Sequence, residues 1–381
     1  MPDLLGIGIT GKSLTDLERR IVRDSTPYAV VLFGRNIDGA GQLRELVAEV
    51  KSLAKVPPLF MIDEEGGRVD RLRRLVPGLP SAEAFAEGER AAEMAAWSGR
   101  VIGTALRWLD VEIDLAPVVD IRGAESPKGL ERRTFGDDAE TVIELAGAFM
   151  RGLHAAGVAS CLKHFPGIGT GSADPHYGAT VIDVSLDELA RRDLVPFARL
   201  GNEARAIMIG HGTYPRFDQR DLPASLSRRI AHDVLRDVAG FDGLAVSDDM
   251  EMHAVSDLGS YESITDRALL AGNDVILFCS HVERVPDLQA HVRERAARDA
   301  AYGARLAEAT ARGEAFRAHC ERLRAAAPPA ASFDDVIDEA ARFVDEVEKT
   351  RPPHEVYVPD VDRRKNPRKP KGGRTGREEW T

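Results

Sequence analysis

Eight short apolar stretches recur along the chain, and most end at charged residues or glycine: "LLGIGIT" (4–10), "AVVLF" (29–33), "PLFMID" (58–63), "IDLAPVV" (113–119), "ASCLKHF" (159–165), "AIMIGH" (206–211), "LAVSD" (244–248) and "DVILF" (274–278). Their nearly continuous apolar character is that of parallel strands buried on both faces. Between them run amphipathic segments of helical period, such as "QLRELVAEVKSLAK" (42–55). Two such segments open with the spacing of a capping box, Thr15 to Glu18 and Ser185 to Glu188. Strand and helix in alternation predict an α/β fold, and a count of eight favours a closed (β/α)8 TIM barrel over an open doubly wound sheet. The open sheet also lacks its phosphate-binding glycine signature after the first strand; "GIGTG" follows a middle one. The expected organisation is a single catalytic barrel domain over 1–327 and a helical C-terminal extension over 328–350. A basic, Pro-rich tail over 351–381 reads as disordered.

A barrel of this kind gathers its chemistry at the C-terminal ends of its strands. The third stretch ends in "DEEGGRVDR" (63–71), the fifth in Lys163-His164, the sixth in Gly210-His211-Gly212 and the seventh in "SDDMEM" (247–252). Polar residues collected at strand exits predict one shared site. It is rich in carboxylates, with Lys, His and Arg and no serine triad, which suits sugar chemistry: one carboxylate attacks or stabilises an oxocarbenium-like centre while another group protonates the leaving oxygen.

Composition narrows the picture. The 381 residues suffice for a large core, and the net charge of −11 argues against nucleic acid as the main partner. No run approaches the roughly 20 apolar residues of a membrane span, and the start lacks the pattern of an export signal, so the expectation is a cytoplasmic protein without a membrane partner. Cys161, Cys279 and Cys320 are odd in number and widely spaced, which predicts neither a disulfide framework nor a zinc site. No His, Asp or Glu pair has helix-face ligand spacing, so neither metal nor cofactor is expected. The basic run "RRKNPRKPKGGRTGR" (363–377) reads as a solubilising tail, or as a contact for an anionic partner of unknown identity.

The blocks "MIDEEGGRVDRLR", "ERRTFGDD", "KHFPGIGTGSADPH", "MIGHGTYP", "PASLSRRI" and "GFDGLAVSDDMEM" resemble, in order and spacing, the signatures of family 3 glycoside hydrolases. The likeness is to the single-domain bacterial β-N-acetylglucosaminidases that recycle peptidoglycan, and it runs from about residue 3 to about 325. It implies a retaining exo-enzyme that removes terminal β-GlcNAc from a muropeptide or disaccharide. It also implies Asp248 as nucleophile, Asp174 and His176 as the acid/base dyad, and Asp63, Arg71, Arg133, Lys163 and His164 as sugar-binding positions. Glu65, Asp120 and His211, also at strand exits, are candidates for supporting these groups.

Elementary chemistry is compatible with those roles. A carboxylate delivered by a strand is well fixed for covalent catalysis, and a histidine can donate and then accept a proton near neutral pH when a carboxylate orients it. Each residue also has a plainer reading: Asp248 could cap a helix, Lys163 could serve a structural salt bridge, Asp63 could be a turn residue, and Arg133 could pair with Asp137 or Asp138. The loop departs from the family pattern at Ile168, Thr170, Gly171 and Pro175, which bears on its closure and on the aglycone. Three alternatives follow: a phosphorylase, a β-glucosidase of relaxed specificity, and a non-catalytic sugar-binding protein.

Overall fold

The computed structural model describes residues 3–86, 88–124, 127, 129–173, 180–329 and 332–350. Asp174, Pro175 and His176 lie outside the described residues, as does the 351–381 tail. All eight apolar stretches form strands of one parallel sheet: β1 (Asp3–Gly8), β2 (Pro27–Leu32), β3 (Leu59–Ile62), β4 (Ile113–Asp114), β5 (Ala159–Ser160 continuing as Leu162–Phe165), β6 (Ala206–Ile209), β7 (Leu244–Asp249) and β8 (Val275–Phe278). β1 pairs with both β2 and β8, and the two segments of β5 close the ring. Ala159 registers against Ile113 of β4, and Leu162 against Ile207 of β6. Cys161, between the segments, donates its N–H to the carbonyls of Asp114 and Ala116, so the break is a local bend within one strand of a (β/α)8 barrel.

β4 is shorter than its apolar stretch. Pro117 has no N–H to donate, which interrupts the ladder; pairing resumes as an isolated bridge between Val118 and Lys163.

Each strand is followed by a helix: α1 (Asp16–Ser25), α2 (Ala40–Leu53), α3 (Ala91–Trp108), α4 (Ala139–Ala155), α5 (Leu194–Ala204), α6 (Arg229–Val238, wound as a π-helix), α7 (Tyr261–Ala271) and α8 (Val285–Arg298). Both expected capping boxes form. Thr15 accepts the Glu18 amide while Glu18 reaches back to Thr15, and Ser185 and Glu188 do the same ahead of a short helix, Leu186–Arg191. The α3–α4 crossing is unusually close: a Cβ on Gly99 would fall 2.0 Å from the carbonyl oxygen of Phe149, and one on Gly152 would fall 2.2 Å from that of Ala96.

Two long helices follow the barrel among the described residues. Asp299 breaks the long C-terminal pattern and caps α9 (Ala300–Ala326) by accepting from the Ala301 and Tyr302 amides. α9 crosses the end of the barrel where the strands begin: Tyr28 Oη at the start of β2 donates to the Gly313 carbonyl, Arg317 to the Pro57 carbonyl ahead of β3, and Arg305 to Asp274 ahead of β8. α10 (Phe333–Thr350) then climbs the outside of α3. Phe333 stacks on Trp108, Phe343 lies against both Phe85 and Trp97, Trp97 Nε1 donates to Glu339, and Arg90 pairs with Glu346. No helix among the described residues is long and apolar enough to cross a membrane.

Candidate active site

The groups at the strand exits converge on one end of the barrel. Lys163 Nζ, only 1% exposed, lies 2.7 Å from Asp63 Oδ1 and 2.6 Å from Glu65 Oε1. Arg133 grips the same Glu65 with two bonds, Nε to Oε2 at 2.7 Å and Nη2 to Oε1 at 2.8 Å. Asp63, Glu65, Lys163 and Arg133 therefore form one alternating charge chain. Burial works against the charges of Glu65 and Lys163, yet the partners win: Arg133 and Lys163 hold the Glu65 carboxyl well below the usual range, and Asp63 and Glu65 hold the Lys163 ammonium above its own. Arg133 makes no pair with Asp137 or Asp138; Asp138 caps α4, and Asp137 lies 4.0 Å from Arg122.

His164 turns to a different partner, and the peptide bond joining it to Lys163 is cis. Its Nδ1 lies 2.7 Å from Asp120 Oδ2, and Asp120 also accepts the His164 and Ile168 amides. A carboxylate there draws the proton to Nδ1 and fixes the ring, which leaves Nε2 without a partner among the described residues.

Asp248 stands near the end of β7, half-buried, with Oδ1 accepting the Asp249 amide at 2.8 Å. Burial raises its pKa, but His211, His164, the Asp249 N–H and Lys163 outweigh burial and hold the carboxyl below its ordinary value. It is ionised at neutral pH, as an attacking carboxylate must be. His211 is engaged at both nitrogens. Nε2 faces the Asp249 carbonyl, which can only accept, at 3.0 Å, and Nδ1 lies 2.7 Å from Ser225 Oγ. Burial lowers the His211 pKa, so the ring is neutral, with its proton on Nε2. Asp248 caps no helix among the described residues; the acids beside it tie loops instead, Asp249 accepting the Glu251 and Cys279 amides, and Glu251 accepting from Ser280, His281 and Tyr261.

Beneath this layer lies a set that the sequence reading did not single out. Glu64 is fully buried and accepts the amides of Gly66, Arg71 and Leu72 at 3.1, 2.6 and 2.9 Å, while Asp114 accepts the Glu64 amide. Burial, with Asp70 and Asp114 nearby, pushes the Glu64 carboxyl well up; burial does the same to Asp114 and moves Asp70 up to about 6. Through those amides Glu64 shapes the loop that carries Arg71. The Arg71 Nε is shut off from water and has no hydrogen-bond partner among the described residues. The three acids of "DEEGG" divide by burial and by nearby cations: Asp63 and Glu65 face Lys163, whereas Glu64 turns inward.

The model of the glycosyl hydrolase family 3 N-terminal domain matches residues 7–308 of this chain. The protein belongs to glycoside hydrolase family 3. A β-hexosaminidase of Pseudomonas aeruginosa is 39% identical over 280 residues, covering 74% of this chain and 83% of its own. Among solved structures, a family 3 β-N-acetylglucosaminidase from Paenibacillus superposes with a TM-score of 0.78 at 28% identity, over 90% of this chain and 67% of that one. A NagZ of Neisseria gonorrhoeae, in complex with N-trifluoroacetyl-D-glucosamine, does so with a TM-score of 0.71 at 28% identity, over 90% and 98%. This family 3 glycoside hydrolase thus brings Asp63, Glu65, Arg133, Lys163, His164, His211 and Asp248 to one end of its barrel. Ser225, in "PASLSRRI", is a participant that sequence reasoning missed. Its signal was present in the quoted block, but its link to His211 is set by tertiary contact.

Proposed function

We propose that the protein is a retaining exo-β-N-acetylglucosaminidase that removes terminal β-GlcNAc from peptidoglycan fragments. The observation that carries the reading is Asp248, an ionised carboxylate delivered by a strand beside His164, His211 and the Lys163 chain. Its relatives, two of them β-hexosaminidase or β-N-acetylglucosaminidase by name and one holding an N-acylated glucosamine, support the substrate class. In the first step Asp248 attacks the anomeric carbon, the glycosidic C–O bond breaks, and His176, oriented by Asp174, gives its proton to the leaving oxygen. In the second, His176 takes a proton from water, the water oxygen bonds to the anomeric carbon, and the ester to Asp248 breaks. Asp63, Arg133, Lys163 and the Nε2 of His164 bind sugar hydroxyls, with Arg71 at the rim. His211, with both nitrogens engaged, is a poor proton donor and supports Asp248.

Proton NMR of the first-formed product from an aryl β-GlcNAc and from a purified muropeptide, with and without phosphate, tests the reading. Free β-GlcNAc from both substrates, and no product with aryl β-glucoside, is the expected result. A sugar phosphate would make the protein a phosphorylase, α-product would remove Asp248 as nucleophile, and turnover of the glucoside would show relaxed specificity. Asp248→Asn, folded but inactive on all of them, is the control.

A further inference from the structure

At the end of the barrel opposite Asp248, a cavity of about 450 Å³ lies between the second half of α9 and the entries of β6 and β7. Arg312, Ala315, His319 and Arg322 recur along α9 at three- and four-residue intervals, so they share the face that lines this cavity. Arg205 lines the opposite wall. It ends α5 with φ 65°, a left-handed conformation that glycine or asparagine adopts at lower cost.

The charges in this cavity are unevenly matched. Arg312 is satisfied, with Glu308 at 2.8 Å and Asp242 and Asp274 each at 3.5 Å. Arg205 and Arg322 have no acidic partner among the described residues, and the two guanidinium groups act on the same ring, that of His319. The His319 Nε2 is shut off from water without a partner, and the ring stands edge-on to His154 at 5.8 Å. Burial first, then the charges of Arg322 and Arg205, lower the His319 pKa to about 4, so the imidazole adds no charge to the cavity wall.

We propose that this cavity binds a small phosphate monoester, its phosphate held between Arg205 and Arg322. Guanidinium groups from two walls reach different oxygens of one tetrahedral anion, a geometry for which arginine is well suited. The volume lies within the range of small-ligand sites, roughly 300–1,000 Å³, and exceeds what a bare ion needs, so the ester carries a group of about sugar size. The site is independent of the proposed glycosidase chemistry.

Calorimetric titration of the full-length protein with inorganic phosphate and with glucose 6-phosphate, at ionic strength fixed with sodium chloride, tests the assignment. Both probes should bind saturably, the ester more tightly, and Arg205→Gln/Arg322→Gln should weaken both by at least about 10-fold. Turnover of an aryl β-GlcNAc without phosphate should be unchanged in that variant. If the double variant melts early, Arg322→Gln alone, at an exposed position on α9, carries the same comparison. Absence of saturable binding would overturn the proposal, as would equal affinity in wild type and variant, which would place the phosphate elsewhere.

Discussion

At the scale of single residues, the site consists of charges that are tolerable only in company. Lys163 is buried between Asp63 and Glu65, and its replacement by methionine leaves two carboxylates without their ammonium. Lys163→Met should lower stability by about 3–5 kcal/mol in denaturant titrations, the usual cost of breaking a buried pair. The sign with pH follows from Glu65, whose folded pKa is depressed. Its contribution is complete above the ordinary glutamate value of 4.5 and is lost as pH falls through the folded value, so wild type and variant should converge in strong acid. His176 is tested by chemistry. His176→Ala should slow a natural disaccharide by roughly 10²–10⁴-fold, and azide should restore turnover of an activated aryl glycoside by attacking the ester on Asp248. Equal losses on both substrates without rescue would make His176 a positioning residue.

At the scale of elements, what could be read from the sequence divides along local and non-local lines. The eight strands were legible because parallel strands buried on both faces must be apolar throughout, and the two capping boxes because their partners lie three residues apart. The pairings of the site were not. Arg133 meets Glu65 across 68 residues, not its neighbours Asp137 and Asp138, and His164 meets Asp120 across 44. Such partners are fixed by which strands are adjacent in the barrel, which no local pattern records. The register of acids in "DEEGG" is a case between: the stretch was visible, but the inward turn of Glu64 depends on the amides of Gly66, Arg71 and Leu72. α10 gives a test of its own. Phe343 is fully buried against Phe85 and Trp97, so Phe343→Ala should cost about 3–5 kcal/mol, read as a fall in denaturation midpoint at constant m-value. A cost under about 1 kcal/mol would mean that α10 packs loosely.

At the scale of the whole molecule, stability against pH is a sum of opposed contributions. Burial lowers the pKa of His154 and His319 from the usual 6.5 to about 4, so the unfolded chain binds more protons between those values and their contribution falls as pH drops through that window. Asp70, Asp193 and Asp249 are pushed up to about 6, so each gains stability over much the same window as pH falls. The total curve is therefore uninformative, whereas a difference is not. His154→Asn/His319→Asn should lose less melting temperature than wild type between pH 6.5 and 4. Parallel curves would show that the two rings are not held neutral by the fold.

The position of α10 also sets an order in time. The surface it covers comes from residues 85–108, while its own contacts come from residues 333–346; Trp97 and Glu339 are 242 residues apart. At a synthesis rate of about 5–20 residues per second, Phe85, Trp97 and Trp108 wait roughly 10–50 seconds after translation before their cover exists. Through that interval the growing chain displays an aromatic face that α10 later covers. A ribosome stalled before residue 333 therefore holds a chain whose aromatic face is still uncovered, and the hazard falls on incomplete chains.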